Sequence, residues 1–408
     1  MLFDPARHEP LAHAEWNEDA ARTLIERIVH DAEERFSPQS HWPVHPLDAV
    51  GDDASPSFDL YCGSAGVVWA LQYLQDVGRA QLRHRYEEYV AGLGTLNAQW
   101  LRARDFSAAD LPSYLIGNTG LTLLALALRG DPVDAASLAA LVGRNLHHPA
   151  RELMWGAPGT LLAARFMHER TGDARWQELF VATARTLWSQ MRWSPEFECH
   201  YWTQELYGGE WTYLDAVHGF VATAAVLIQG RHLLDETEWA GWQERIVATV
   251  RNSVQRDGPH ANWPAFLYPP GGSTRPQKAL MQFCHGAPGF VICLADLPAR
   301  DLDDDLVAAG EAIWAAGPLR KGSNLCHGTG GNGYAFLKLY ARTGEEKWLA
   351  RARAFAMHGI VQTETHAARY GRMRHSLWTG DPGFAIYLHD CIEGVGRFPT
   401  LEVFFAGA

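Results

Sequence analysis

A short phrase recurs seven times along the chain: Gly-x-x-Gly, then an apolar run of helical length. This repeat limits the fold more than any other feature of the sequence. The first copy is Gly63-Ser64-Ala65-Gly66, followed by Val67, Val68, Trp69, Leu71 and Leu74. Further copies open at Gly117, Gly156, Gly286, Gly328 and Gly380. The copy at Gly219 is degenerate, with Ala222 where the second glycine would stand. Successive copies lie roughly 40 to 70 residues apart, the range of repeats that build solenoids and arrays.

Each copy reads as the start of a helix. Glycine permits a tight turn and close backbone approach. Proline at positions 158, 288 and 382 suits a first helical turn, where its missing N–H costs nothing. The runs that follow are apolar on most sides, as in helices buried all round. Between them lie amphipathic segments, one with Trp176, Phe180, Ala184, Leu187, Trp188 and Met191, another with Trp348, Ala352, Phe355 and Ala356. These follow the spacing of a helix with one buried face. Their openings match: Arg170-Thr171-Gly172-Asp173-Ala174-Arg175-Trp176 against Arg342-Thr343-Gly344-Glu345-Glu346-Lys347-Trp348. The helical hairpin is therefore the repeated unit, and strand signals are weak throughout. The expected architecture is all-α: seven inner and seven outer helices in an α/α toroid, with the glycine-rich helix starts around one mouth. An open α-solenoid is the rival. The whole of 1–408 reads as one such domain, residues 1–57 supplying an N-terminal outer helix and loop. The Pro/Gly-rich stretch Asn262 to Pro276 reads as a long loop over the mouth, of a length that is often functional.

With 408 residues, 47% of them hydrophobic, the chain has ample material for a large core. Its formal charge of −12 and the lack of any Lys/Arg-rich run argue against nucleic-acid binding. No apolar stretch approaches the ~20 residues that span a bilayer, and the opening lacks a secretory pattern. A soluble, cytoplasmic protein is expected. Six cysteines in so long a chain do not suggest a disulfide framework. In a reducing compartment, cysteine beside histidine points instead to metal binding or catalysis.

Three copies carry such side chains directly before the glycine: His218-Gly219, Cys284-His285-Gly286 and Cys326-His327-Gly328. If the repeats are equivalent around a ring, these residues meet at the mouth. Two cysteines and one histidine would make a three-ligand zinc set with an open fourth position, the pattern of a catalytic site. By residue type alone the cysteines could equally be small buried hydrophobes at helix starts.

These residues resemble a known family. Phe283-Cys284-His285-Gly286-Ala287-Pro288-Gly289 is similar to the Trp-Cys-His-Gly-x-Pro-Gly phrase of lanthionine synthetase C-like proteins. Leu325-Cys326-His327-Gly328 with Gly331-Asn332-Gly333-Tyr334-Ala335-Phe336 resembles their second signature, and Ala216-Val217-His218-Gly219 their His-Gly phrase. The resemblance implies an (α/α)7 toroid, zinc held by Cys284, Cys326 and His327, and His218 as the acid/base residue. The C-terminal part is most similar to the free-standing, glutathione-using branch. That likeness implies glutathione contacts at Lys321 and, by a looser match, Arg369. Phe283 stands where the family has tryptophan. His285 is not a family ligand and is expected to be a packed, hydrogen-bonded residue. Cys62, Cys199, Cys293 and Cys391 are expected to be structural.

The chemistry so implied is zinc activation of a thiol, which adds to dehydroalanine or dehydrobutyrine in a peptide or protein and leaves a thioether. Glutathione addition leads. Intramolecular ring closure of a dehydrated peptide is the near rival, and a noncatalytic glutathione- or peptide-binding scaffold the distant one. A glycan-processing toroid would work with paired carboxylates, where these mouth phrases carry cysteine and histidine.

Overall fold

Every glycine phrase caps a helix. The computed structural model describes residues 2–12, 14–49, 53, 55–272 and 277–406. Seven helices begin directly after Gly63, Gly117, Gly156, Gly219, Gly286, Gly328 and Gly380: α2 (Ser64–Asp76), α4 (Asn118–Arg129), α6 (Ala157–Thr171), α8 (Phe220–Gln229), α10 (Ala287–Leu294), α12 (Thr329–Thr343) and α14 (Asp381–Glu393). All eight residues of α10 are buried. Between them run α1 (Glu18–Arg35), α3 (Glu87–Arg102), α5 (Pro132–Asn145), α7 (Ala174–Ser189), α9 (Glu236–Ser253), α11 (Asp303–Ala316) and α13 (Glu346–Tyr370). These bury one face, as α7 does with Trp176, Phe180, Thr183, Ala184 and Leu187.

Each inner helix packs on the next, and α14 packs back on α2. The ring is closed, so the solenoid alternative fails and the fold is the (α/α)7 toroid. Helix α1 lies against α14 and α13. The second glycine of the phrase is needed for close approach: a Cβ on Gly331 would sit 1.8 Å from the Leu325 carbonyl oxygen. The degenerate copy accepts Ala222 fully buried.

Backbone hydrogen bonds stitch the turns together at the mouth. They run from Cys284 N to Cys326 O, Cys326 N to Trp378 O, Trp378 N to Tyr61 O, Tyr61 N to Leu115 O, Leu115 N to Met154 O, and Leu153 N to Val217 O. Seven of the eight residues in these bonds, all but Leu153, stand two residues before a capping glycine, so the repeats are equivalent in space as well as in sequence. The junction between Val217 and Cys284 lacks the bond, because the Val217 N–H goes to Asp215 Oδ1. That junction belongs to the copy carrying Ala222.

The C-terminal segment threads the ring's centre. Phe404 O accepts from Trp69 Nε1, Thr400 O from Tyr114 Oη, and Glu402 O from Arg165. Phe398 stacks on Phe283 at 4.3 Å. Three short antiparallel hairpins also occur among the described residues: β1 (Arg192–Ser194) with β2 (Cys199–Tyr201), β3 (Gln204–Leu206) with β4 (Gly209–Trp211), and β5 (Gln255–Asp257) with β6 (His260–Asn262). Strands of three residues carry too little alternation to register as a sequence pattern. The predicted loop starts inside β6, and its Tyr268 hydroxyl pairs with Ser194 Oγ; residues 273–276 of that loop lie outside the described residues.

Candidate metal centre

The equivalence of the turns sorts the mouth side chains into circles. Two residues before each glycine stand Tyr61, Leu115, Met154, Val217, Cys284, Cys326 and Trp378; one residue before stand Cys62, Ile116, Trp155, His218, His285, His327 and Thr379. Cys284 and Cys326 therefore occupy the same place in adjacent repeats, and His327 extends from the next position. The ligand atoms of Cys284, Cys326 and His327 all lie within 4.8 Å of one another. That spread suits one ion bonded at ~2.0–2.3 Å, and two thiols with an imidazole are donors that zinc prefers.

The environment favours ligation. Tyr61 Oη donates to Cys326 Sγ at 2.8 Å, and Gln282 Nε2 donates to Cys284 Sγ at 2.9 Å. Pairing with Cys284 pulls the Cys326 thiol down, against burial and with help from Tyr61 and the Lys321 charge. The same pairing, with burial, pushes Cys284 well up. Burial takes His327 down to about 4, with Lys321 and Arg374 adding to it, and the neutral imidazole is the ligating form.

His218 lies on the far side of the incomplete junction. Its Nδ1 is 2.9 Å from Glu152 Oε2. Burial alone would depress its pKa, but the hydrogen bond and charge of Glu152, with Asp215 and Cys284, raise it. His285 is not part of the donor cluster. Its Nδ1 approaches Asp215 Oδ2 at 2.8 Å, out of line for a hydrogen bond. Burial opposes protonation of His285, yet Asp215 lifts it to about 9. This ion pair bridges the two repeats that lack the backbone bond.

Lys321 is exposed and lines a small cavity with His45, His366, Arg372 and Arg374. Arg369 is exposed on the last turn of α13, its guanidinium 5.3 Å from the Tyr370 ring. It lies outside the residues lining that cavity, though its charge acts on His366. Cys199, Cys293 and Cys391 are buried, and burial pushes all three thiols up.

Sequence reasoning missed a third circle. Four residues before each glycine stand Asp59, Ser113, Glu152, Asp215, Gln282, Asn324 and Ser376, all polar and all buried. Most fix the turn through its own N–H groups: Glu152 accepts from Met154 N and Trp155 N, Asp215 from Val217 N and His218 N, and Asn324 from His327 N. The signal was in the sequence, as a polar residue at a fixed offset. The mouth thus does hold carboxylates, but Glu152 and Asp215 are engaged by backbone and histidine. Also missed was Arg7, whose Nη2 donates to Gln282 Oε1 at 2.7 Å.

A family model for lanthionine synthetase C-like protein matches residues 54–403. The chain belongs to the lanthionine synthetase C-like family. Among its relatives, "Glutathione S-transferase LANCL1" of Danio rerio is 32% identical over 212 residues, 50% of this chain and 47% of that protein. "LanC-like protein GCL1" of Arabidopsis thaliana is 32% identical over 143 residues, 33% of each chain. The alignments thus span about half, or a third, of the relatives' length. Among solved structures, nisin cyclase superposes with a TM-score of 0.62 over 94% of this chain and 98% of its own, at 14% identity. At that identity the likeness concerns the fold. This lanthionine synthetase C-like chain has no helix, among the described residues, long and apolar enough to cross a membrane.

Proposed function

We propose that this protein adds a thiol, with glutathione the candidate, to dehydroalanine or dehydrobutyrine residues of a peptide or protein. Cys284, Cys326 and His327 would hold zinc. The observation that carries the reading is the convergence of those three donors at the mouth, together with a histidine backed by a buried carboxylate. Zinc bound there would keep a fourth position open and hold an incoming thiol as its thiolate. A free thiol with pKa ~8.5 is otherwise mostly protonated at neutral pH.

The chain's own residues do the rest. Tyr61 and Gln282 orient the ligand sulfurs through their hydrogen bonds. When the thiol sulfur bonds to the β-carbon, the alkene's electron pair moves toward the α-carbon and its carbonyl, and the α-carbon needs a proton. His218 supplies it from Nε2, since Nδ1 is committed to Glu152 and a raised pKa favours the protonated ring. Lys321 would meet a glutathione carboxylate, with Arg369 as an outer contact. The name of the Danio rerio relative supports glutathione as the thiol. We place the reaction in the cytoplasm, where the two ligand thiols stay reduced.

The test is direct. The purified protein is assayed for bound zinc, then incubated with glutathione and a dehydroalanine peptide, with Cys326→Ala as control. The expected result is about one zinc per chain and a peptide heavier by one glutathione, both lost in the variant. Zinc without thioether product leaves the noncatalytic scaffold. Product only from a peptide carrying its own cysteine, with no mass gain, favours the cyclase.

A further inference from the structure

The β3–β4 hairpin closes with a two-residue loop, since Leu206 pairs with Gly209. Both loop residues have positive φ: 51° at Tyr207 and 76° at Gly208. Such loops favour asparagine, aspartate or glycine, and a tyrosine there carries a backbone cost. Packing does not offset that cost, because Tyr207 is 66% exposed. A strained, exposed aromatic points to use rather than to stability.

Its position says what the use is. The Tyr207 ring stands edge-on to the His218 ring, with centroids 5.8 Å apart and planes at 86°. The hairpin is held firmly beneath it: Glu205 N donates to Pro149 O, Arg151 Nη1 to Thr203 O, and Trp211 Nε1 to Leu206 O. The Tyr213 ring also lies near His218, at 5.5 Å. Phe266 follows at 4.5 Å from Tyr213, and Trp211 at 5.7 Å from Phe266. All three are only partly buried. Trp211 also lies 5.8 Å from Tyr213, so the three rings form a partly accessible cluster that meets His218 through Tyr213, while Tyr207 meets the same histidine.

We propose that Tyr207 is a specificity-determining residue for a polypeptide acceptor. Its ring and the cluster of Tyr213, Phe266 and Trp211 receive an apolar side chain next to the dehydroamino acid, which sets the alkene beside His218. Glutathione has no apolar side chain of that size, so the cluster serves the acceptor and not the thiol. The inference rests on the thiol-addition reading, and its test separates the two.

The zinc-loaded full chain and its Tyr207→Gly and Tyr207→Phe variants are given glutathione and two acceptors. One is a heptapeptide with leucine beside dehydroalanine, the other N-acetyl-dehydroalanine methylamide. The peptide-over-small-acceptor ratio of kcat/KM falls about tenfold in Tyr207→Gly, the worth of one aromatic contact, and Tyr207→Phe keeps it. Tyr207→Gly also melts higher, because the strain is gone. An unchanged ratio overturns the proposal, as does a lower melting temperature for Tyr207→Gly. Fluorescence anisotropy with the same peptide, alanine replacing dehydroalanine, gives a readout without turnover. If the wild type makes no thioether, the functional reading falls. Peptide affinity that drops about tenfold in Tyr207→Gly still upholds the contact, and equal affinity refutes it.

Discussion

Replacing Glu152 by glutamine preserves shape and removes one charge at the place where the acid chemistry is set. The Glu152 side chain is fully buried and makes three contacts: Oε1 accepts from Trp155 N at 2.6 Å, and Oε2 accepts from Met154 N and His218 Nδ1, each at 2.9 Å. An amide keeps one acceptor oxygen. Its NH2 group then faces either the Trp155 N–H or the Met154 and His218 N–H groups together, donor against donor. A hydrogen bond to a charged group is worth ~1.5–3 kcal/mol. Lost from the protonated imidazole that delivers the proton, this lowers kcat by about one to two orders of magnitude. The pH profile carries the diagnosis. Burial depresses the His218 pKa, and Glu152, with Asp215 and Cys284, more than restores it, so in Glu152→Gln the alkaline limb of kcat/KM moves to lower pH. Stability follows the same sign. A raised folded-state pKa contributes stability that is fully present below the unfolded value of 6.5 and is lost as pH rises through the folded value. The stability gap between wild type and Glu152→Gln is therefore widest in acid and narrows upward. The assay is kcat/KM against pH with glutathione and a dehydroalanine peptide, with zinc content and circular dichroism confirming an intact variant. An unmoved alkaline limb in a folded, zinc-loaded Glu152→Gln refutes the assignment of His218 as the acid tuned by Glu152.

Three further predictions concern the scaffold. Phe398→Ala removes a fully buried ring stacked on Phe283 and should cost about 3–5 kcal/mol in urea denaturation, with weaker zinc retention because Phe283 adjoins Cys284. Gly331→Ala places a methyl 1.8 Å from Leu325 O and should destabilise by about 1–3 kcal/mol or more; Ala222→Gly in the degenerate copy should cost less, as both melting curves will tell. Glu402→Leu leaves the buried Lys338 ammonium, held by Glu402 at 2.7 Å and Asp296 at 2.6 Å, with Asp296 as its one carboxylate partner of the two. A loss of about 3–5 kcal/mol is expected, largely recovered in the Glu402→Leu/Lys338→Met double variant by the same denaturant titration.

What was legible and what was not divides along sequence distance. The glycine caps, the prolines at 158, 288 and 382, and the buried faces of α7 and α13 are local features, and they appear where periodicity places them. The short hairpins, by contrast, are set by loop closure and have no periodicity to read. Arg7 and Gln282 are 275 residues apart, and nothing near either one announces the pairing.

The sequence by itself determined a repeated helical hairpin and which residue types stand before each glycine, because helix starts and buried faces depend on neighbours a few positions away. Only the tertiary structure decided that the ring closes through α14 and α2. Stacking of neighbouring repeats brings Cys284 to Cys326 and Glu152 to His218, and closure brings Tyr61 to Cys326. Those pairings fix charge and hydrogen bonding at the mouth, and they depend on distances through space that no local pattern encodes.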